Sequence, residues 1–452
     1  MIVNLLIVLA LLLISTLVIG APVSFSLGFT AIGSIFLLMS PSHLIQMGNV
    51  ALTQGTSMNQ LVAPLFILMA EFLARGDVAS DIFDVLNRLL IKIKGGLAVS
   101  TVFACTVFAA LCGSSPATAA AIGRVSISQM QKHGYRSDFA AGTVAASGTL
   151  GIMIPPSITF VMYGIITENS IAKLLIAGIL PGLMLSALIT ISIIIRVRLN
   201  PGLAEQTSQE PEQLAMEMSL VDGVSARESE ADKSEKSIGK SLMQILPAIV
   251  LIFVVLGSMY TGLATPTESA GVGAVGAFII IVFLRRCNIP LFREVLRATA
   301  KTSTMILFMA ICGLFLSYVV SYLGIAQNIA NAITSLHVNR YVVIIFLYIL
   351  WYIMGCLMDP GSMVILTIPF IYPTVMALGF NPIWLGVVST LCVEVGMITP
   401  PVGFNLFIIR SISDVPIIEI MKGVIPYVFI LTLGLIILTV FPEICLYLPS
   451  RM

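Results

Sequence analysis

The sequence predicts an all-α, polytopic membrane protein built from two inverted repeats, each with about five transmembrane helices and one re-entrant hairpin. Three observations lead there. Of the 452 residues, 58% are hydrophobic and only 10% charged, with a mean hydropathy of +1.05. A soluble domain is about a quarter charged, so this chain has no adequate surface to offer water. Prolines and glycines recur at one long spacing, and each half of the chain holds an odd number of apolar spans. Such a composition excludes a secreted disulfide scaffold, a cytosolic enzyme and a nucleic-acid binder. The net charge of +1 gives no electrostatic handle on a partner.

A helix needs about 20 apolar residues to cross a bilayer. Residues 1–70 contain no Asp, Glu, Lys or Arg, and breaks at Gly20-Ala21-Pro22 and from Pro41 to Gln60 divide them into spans near 3–19, 22–40 and 58–74. No basic region precedes the first apolar run, so it is a span rather than a cleaved signal. Further uncharged runs lie at 139–167, 174–195, 241–264, 270–284, 302–321, 385–409 and 423–442, which makes ten crossings. Two stretches do not fit single spans. The 29 residues between Lys94 and Arg124 are too many for one crossing. Folded at Gly113-Ser114-Ser115-Pro116, each arm would reach about 21 Å against a core of about 30 Å. A re-entrant hairpin over 95–124 follows, and a second over 341–381, interrupted at Met358-Asp359-Pro360-Gly361-Ser362. Non-helical backbone at that depth survives only inside protein or beside a cavity, so both tips are candidate sites.

Pro22 and Pro266 are 244 residues apart, as are Pro116 and Pro360. Pro155-Pro156 and Pro400-Pro401 are 245 apart, as are Gly178-x-x-Pro181 and Gly423-x-x-Pro426. Four landmarks in order at one offset indicate duplication. The first repeat is 1–198, the second 241–452, and 199–240 is a polar linker rich in Glu, Ser and Gln, expected to be disordered and cytoplasmic. Five crossings per half require opposite orientations. The charges agree: basic loops 75–94, 124–136 and 285–301 correspond to nearly neutral or uncharged stretches in the other half. With charged loops in the cytoplasm, 20 of 23 Lys and Arg lie inside, leaving only Lys173, Arg340 and Arg451 outside. Both termini are then periplasmic. Residues 75–94 form an amphipathic helix on the inner surface.

Inverted repeats with paired broken helices are the mark of secondary transporters, with sites near the midplane. A broken helix exposes N–H groups that suit an anion and carbonyls that suit Na⁺. The first tip offers Gly113, Ser114, Ser115 and Thr118; the second offers Asp359, Gly361 and Ser362. Each is followed by a Gly-x-x-x-Pro-Pro break, Gly151 to Pro156 and Gly396 to Pro401, where the prolines free carbonyls. One ion site would join the first tip to 147–156, the other the second tip to 396–405. Capping is the competing explanation, since Ser115-Pro116 and Asp359-Pro360 both resemble an N-cap followed by Pro. An intramembrane Asp359 is costly and argues for function. Thr265-Pro266-Thr267-Glu268 is a capping box, Glu71 pairs with Arg75 at i, i+4, and Arg410 anchors the inner surface. Glu394 either titrates or orients the second break, and Asn405 either coordinates or caps. The seven Cys, five of them in apolar runs (Cys105, Cys112, Cys312, Cys356, Cys392), serve as small hydrophobes. His43, His133 and His337 fall in loops and form no metal constellation. An intramembrane enzyme would need such a constellation or paired carboxylates, and only scattered Asp359, Glu268 and Glu394 are present. A passive anion channel has no use for two inverted broken-helix sites.

Five stretches carry a family resemblance: GSSPATAAAIG at 113–123, AASGTLGIMIPPS at 145–157, ATPTESAGVGAV at 264–275, MDPGSMVILTIP at 358–369 and GMITPPVGFNLF at 396–407. They resemble the large membrane subunit of tripartite ATP-independent periplasmic (TRAP) transporters, the DctM type, in the ion transporter superfamily. The resemblance implies Na⁺-coupled import of an organic anion, a carboxylate or sugar acid, across the bacterial inner membrane by an elevator mechanism. It implies a periplasmic binding protein of the DctP type and a small membrane subunit of the DctQ type, here expected as a separate polypeptide because the chain opens on its first span. The nearest alternative is a standalone Na⁺- or H⁺-coupled carboxylate carrier of the same superfamily. The ion-binding candidates are Gly113, Ser114, Ser115, Thr118, Gly151, Asp359, Gly361, Gly396, Thr399 and Asn405; the substrate-facing candidates are Ser115, Pro156, Ser362 and Pro401. Na⁺ is the coupling ion, with no transition metal and no other cofactor. The long linker, Pro116 and Glu394 depart from the family pattern.

Overall fold

The computed structural model describes residues 2–90, 93–204, 238–335 and 338–452. His337, part of the 75–94 segment and most of the 199–240 linker lie outside these residues. Ile2–Val18 (α1), Val23–Leu38 (α2), Leu44–Gly55 (α3), Val62–Arg75 (α4) and Val78–Leu90 (α5) lead into a helical hairpin, Gly96–Cys112 (α6) and Ser115–Lys132 (α7). Ser137–Gly148 (α8) and Leu150–Met153 (α9) stop at Pro155-Pro156, and Ile158–Thr167 (α10) resumes at a bend of 41°. Ile171–Ala177 (α11) and Ile179–Leu199 (α12) complete the first half.

The second half repeats this order. Ile238–Tyr260 (α13), Pro266–Phe283 (α14), Ile289–Tyr322 (α15) and Ile325–Ser335 (α16) precede a second hairpin, Arg340–Gly355 (α17) and Pro360–Ala377 (α18). Pro382–Ile398 (α19) stops at Pro400-Pro401, Phe404–Ile412 (α20) follows, and Ile417–Val440 (α21) and Glu443–Leu446 (α22) close the chain. Both Pro-Pro bonds are cis. No strand occurs among the described residues. Each expected span has a helix or a broken pair of helices.

The structure departs from the sequence reading at four places. The first hairpin's arms are longer than the expected length of about 14 residues, at 17 and 18, while the second's have 16 and 18. The first hairpin runs past Arg124 to Lys132, because helix propagation does not stop at a charge that can reach an interface. At about 24–27 Å the arms still fall short of a hydrocarbon core of about 30 Å. The loop 285–301 is mostly helix, since α15 runs unbroken for 34 residues. Its first-half counterpart is split into α3, the 3₁₀ turn Met58–Leu61 and α4, because Gly55-Thr56-Ser57 favours a stop where the later half has Thr299-Ala300-Lys301. The linker begins in ordered form, with Leu203 O of the turn Pro201–Leu203 accepting from Arg136 N at 3.2 Å.

Packing across the halves is reciprocal. Helix α14 packs on α4, while α15, the counterpart of α4, packs on α2, the counterpart of α14. Likewise α10 packs on α18, and α20 on α7. At one end the Arg286 guanidinium forks onto Asp81 at 2.6 and 3.0 Å and reaches Gly76 O at 2.7 Å. Near the counterpart positions, His43 Nδ1 meets Tyr318 Oη at 2.7 Å and the His43 ring stacks edge-on against Tyr322. Arg75 pairs with Glu71 at 2.7 Å, as expected, and also with Glu294. The amphipathic α5 buries Val78, Ala79, Ile82, Phe83 and Val85 against α6 and α13.

The tightest crossing joins α8 to α21. A Cβ on Gly142 would lie 2.3 Å from Gly423 O, and one on Gly423 would lie 1.9 Å from Asp138 O. Small residues permit such backbone approach, and beside it Thr143 Oγ1 and Tyr427 Oη share a buried hydrogen bond of 2.7 Å. Gly423→Ala is therefore expected to destabilise the protein by about 3 kcal/mol, at the upper end for overpacking because backbone cannot swing aside. Thermal unfolding in detergent checks this, with Gly257→Ala, which has open space at its Cβ, as the neutral control.

Candidate functional site: the hairpin tips and the helix breaks

The first tip is built on glycine. Helix α6 ends at Cys112, and Gly113 turns the chain with φ +66°, its N–H bonded to Ala109 O. A side chain at Gly113 would place Cβ 2.2 Å from Pro156 O. One at Gly151 would place it 2.7 Å from both Ser114 O and Thr118 Oγ1. The tip thus sits directly on its own half's break, which brings together Gly113, Ser114, Thr118, Gly151 and Pro156.

The capping assignment at this tip is corrected by one residue. Ser114, not Ser115, is the N-cap, and its hydroxyl accepts from Ala117 N at 3.4 Å. Ser115 and Pro116 are the first two helical residues, which frees the Ser115 hydroxyl for another partner. That partner comes from the other half: Asn405 Nδ2 donates to Ser115 Oγ at 2.7 Å, with both residues fully buried. Asn405 follows the break between α19 and α20, and α20 packs on α7. The expectation that Asn405 would serve the second tip is thus overturned. One turn beyond Ser115, Thr118 is also fully buried, with its hydroxyl against the Cys112 thiol; Asn405 Oδ1 has no hydrogen-bond partner among the described residues.

The second tip is different. Asp359 is a true N-cap, accepting from Ser362 N at 3.0 Å, and the Ser362 hydroxyl donates to its other oxygen. Ser362 Oγ also contacts Met309 Sδ at 3.2 Å, and a Cβ on Gly361 would meet Met309 Cε at 3.2 Å. Asp359, Gly361 and Ser362 therefore turn towards α15 rather than towards the 396–405 break. Thr399 and Pro401 lie elsewhere, on a groove of about 310 Å³ shared with Tyr352, Cys356, Leu357 and Pro400. Thr399 Oγ1 is occupied by Val395 O at 2.6 Å. Gly396 lets α19 touch α17, since its Cβ would lie 2.7 Å from Gly355 Cα.

Glu394 was outside the expected ligand set, yet it lies beside the Ser115 side chain, fully buried. Its one signal in the sequence was being the lone carboxylate of the 385–409 run. Met309 carried no signal at all. Glu268 forms the expected capping box with Thr265. Arg410 is exposed and reaches Ser413 O and Val415 O, both at 3.4 Å. Among the described residues, no three His, Cys, Asp or Glu side chains come together as a metal site.

The family model of the tripartite ATP-independent periplasmic transporter, DctM component, matches residues 9–444. The chain belongs to this family. A C4-dicarboxylate TRAP transporter large permease protein DctM of Pseudomonas aeruginosa is 35% identical over 428 residues, covering 94% of each chain. One of Vibrio cholerae is 32% identical over 462 residues, covering 97% of this chain and 96% of its own. In overall fold, the chain resembles the YdaH transporter of Alcanivorax borkumensis, with a TM-score of 0.59, 16% identity and 90% coverage of each chain. This DctM-type chain is thus a polytopic membrane permease subunit and not an enzyme. A tripartite transporter implies a small membrane subunit and a periplasmic binding protein beside it.

The caps give a test of the second tip. Asp359→Ala is expected to cost about 1 kcal/mol in detergent melts, whereas Asp359→Asn stays within a few tenths, because Asn caps a helix as well as Asp does.

Proposed function

We propose that this DctM-type chain is the Na⁺-coupled permease of an importer for an organic carboxylate in the bacterial inner membrane. Its binding protein, of the DctP type, delivers the substrate, and a DctQ-type subunit supports the scaffold. The carrying observation is the buried meeting of the first tip with both breaks: Gly113 on Pro156, Gly151 on Thr118, and Asn405 on Ser115. Hydroxyl, amide and carbonyl oxygens are the donors that suit a hard cation. The helix N-termini at Ser115 and Pro360 add positive dipole ends for an anion. Ser115, Pro156, Ser362 and Pro401 are the substrate-facing candidates on this reading, and a C4-dicarboxylate is the first substrate to try, from the names of the two relatives.

The reciprocal packing of α14 on α4 and α15 on α2 supports two repeats inverted about an axis in the membrane plane. The expected orientation puts four ion pairs, Glu71–Arg75, Arg75–Glu294, Arg136–Asp138 and Asp81–Arg286, in or beside the loops assigned to the cytoplasm. Both termini are then periplasmic. A domain carrying both hairpins would move as an elevator against α2, α4, α14 and α15.

Uptake of labelled dicarboxylates into proteoliposomes tests the proposal. Transport should require the binding protein and an inward Na⁺ gradient. Uptake without the binding protein would make the protein a standalone carrier, and uptake driven by protons alone would remove Na⁺. Ser115→Ala and Asp359→Asn are each expected to weaken Na⁺ activation at least several-fold with expression preserved. Asn keeps the cap, so normal activation in Asp359→Asn would leave Asp359 a structural residue only.

A further inference from the structure

We propose that Glu394 is a direct ligand of the cation at the first hairpin tip and supplies that site's negative charge. The inference rests on the reading of this tip as a Na⁺ site. The Glu394 carboxylate is buried with the Ser115 hydroxyl as its polar neighbour, Asn405 Oδ1 is buried without a hydrogen-bond partner among the described residues, and Thr118 Oγ1 lies against the Cys112 thiol. All three residues are fully buried. Two of them, Glu394 and Asn405, meet at one hydroxyl. Ser115 Oγ accepts from Asn405 Nδ2 at 2.7 Å, Glu394 lies beside it, and Thr118 stands three residues along the same helix face. Buried polar groups are almost always paired, and a lone buried carboxylate is among the costliest exceptions. A buried carboxylate without a counter-ion among the described residues, an unpaired amide oxygen and the Ser115 hydroxyl side by side are donors that suit a hard monovalent cation.

Pairing by a protein cation is not on offer, because no described ion pair includes Glu394. The repeat sharpens the argument. The first-half counterparts of Glu394 and Asn405, 245 residues earlier, are Thr149 and Phe160. Thr149 spends its hydroxyl on Ala146 O, and Phe160 offers no donor atom. The second-half counterpart of Ser115, 244 residues later, is Asp359. The carboxylate thus stands on the pre-break helix at one tip and on the hairpin itself at the other. The chain places one negative charge at each tip while drawing it from opposite walls. Asp359 is held by both the backbone N–H and the hydroxyl of Ser362, whereas Glu394 has, among the described residues, the Ser115 hydroxyl alone beside it.

The test uses the complex of this chain with its small membrane subunit, purified in detergent. Its thermal midpoint is titrated with NaCl against choline chloride at constant ionic strength, so that a bound cation appears as a concentration-dependent rise. Wild type should respond. Glu394→Gln should weaken apparent Na⁺ affinity at least 10-fold while raising the midpoint in choline, because an unpaired buried charge has been removed. Glu394→Asp should recover part of the affinity. A merely structural Glu394 would lower the midpoint in choline and leave the Na⁺ dependence intact. If Glu394→Gln titrates like wild type while Ser115→Ala does not, the inference falls and the tip reading stands. If wild type itself is indifferent to Na⁺, both fall. Should Glu394→Gln not fold, the Na⁺-minus-choline infrared difference spectrum of the ¹³C-glutamate-labelled wild-type complex decides. A shifted glutamate carboxylate band supports the inference, and no shift overturns it.

Discussion

Lipid offers no hydrogen bonds, so every interruption of a helix at membrane depth must be enclosed by protein. The described residues include two hairpin tips and two Pro-Pro breaks, and the close approach of the first tip to the first break organises what surrounds it. Gly113 and Gly151 are glycines because Pro156 O, Ser114 O and Thr118 Oγ1 occupy the space a side chain would need. Gly142 and Gly423 let α8 and α21 cross in backbone contact, which holds the first half's pre-break helix against the last long helix of the second half. Glycine elsewhere in a helix is a cost; here it is what allows unpaired backbone to be shut in.

The two halves share a frame but not a chemistry. Each post-break helix packs on the second arm of the opposite hairpin, α20 on α7 and α10 on α18. That exchange carries Asn405 to Ser115 across 290 residues of chain. The equivalent placement in the other half carries Phe160, so the second tip has no amide delivered to it and closes on itself through Asp359 and Ser362. One tip is consequently a wholly buried cluster of oxygens, while the other is a capped tip beside Met309, with an open groove at its break. Two unlike sites in like frames would give a carrier two distinct ligand preferences without two distinct folds.

The apolar helices and the two Pro-Pro breaks were legible because each is written in a local, one-dimensional signal: run length without charge, or a proline pair at a recurring offset. Errors came where local rules compete. Ser114 and Ser115 are equally good caps on paper, and only the register of α7 decides that Ser114 caps and Ser115 is released. The charge at Arg124 looked like a boundary, yet the helix continues to Lys132. Gly55-Thr56-Ser57 did mark a real stop, and its absence at 299–301 explains why α15 is one long helix.

By itself, then, the sequence determined that this is an all-helical membrane permease subunit, and which short segments are interrupted. Hydropathy and proline placement act within a few residues of themselves, so they survive translation into structure. What only the tertiary structure decided is which interruption meets which. Asn405 meets the first tip rather than the second, Ser362 turns to Met309, and Glu394 lies as a buried carboxylate beside Ser115. Those pairings depend on how helices from two halves pack. Residues hundreds of positions apart become neighbours only through the shape of the surfaces between them, and no period or spacing along the chain records that shape.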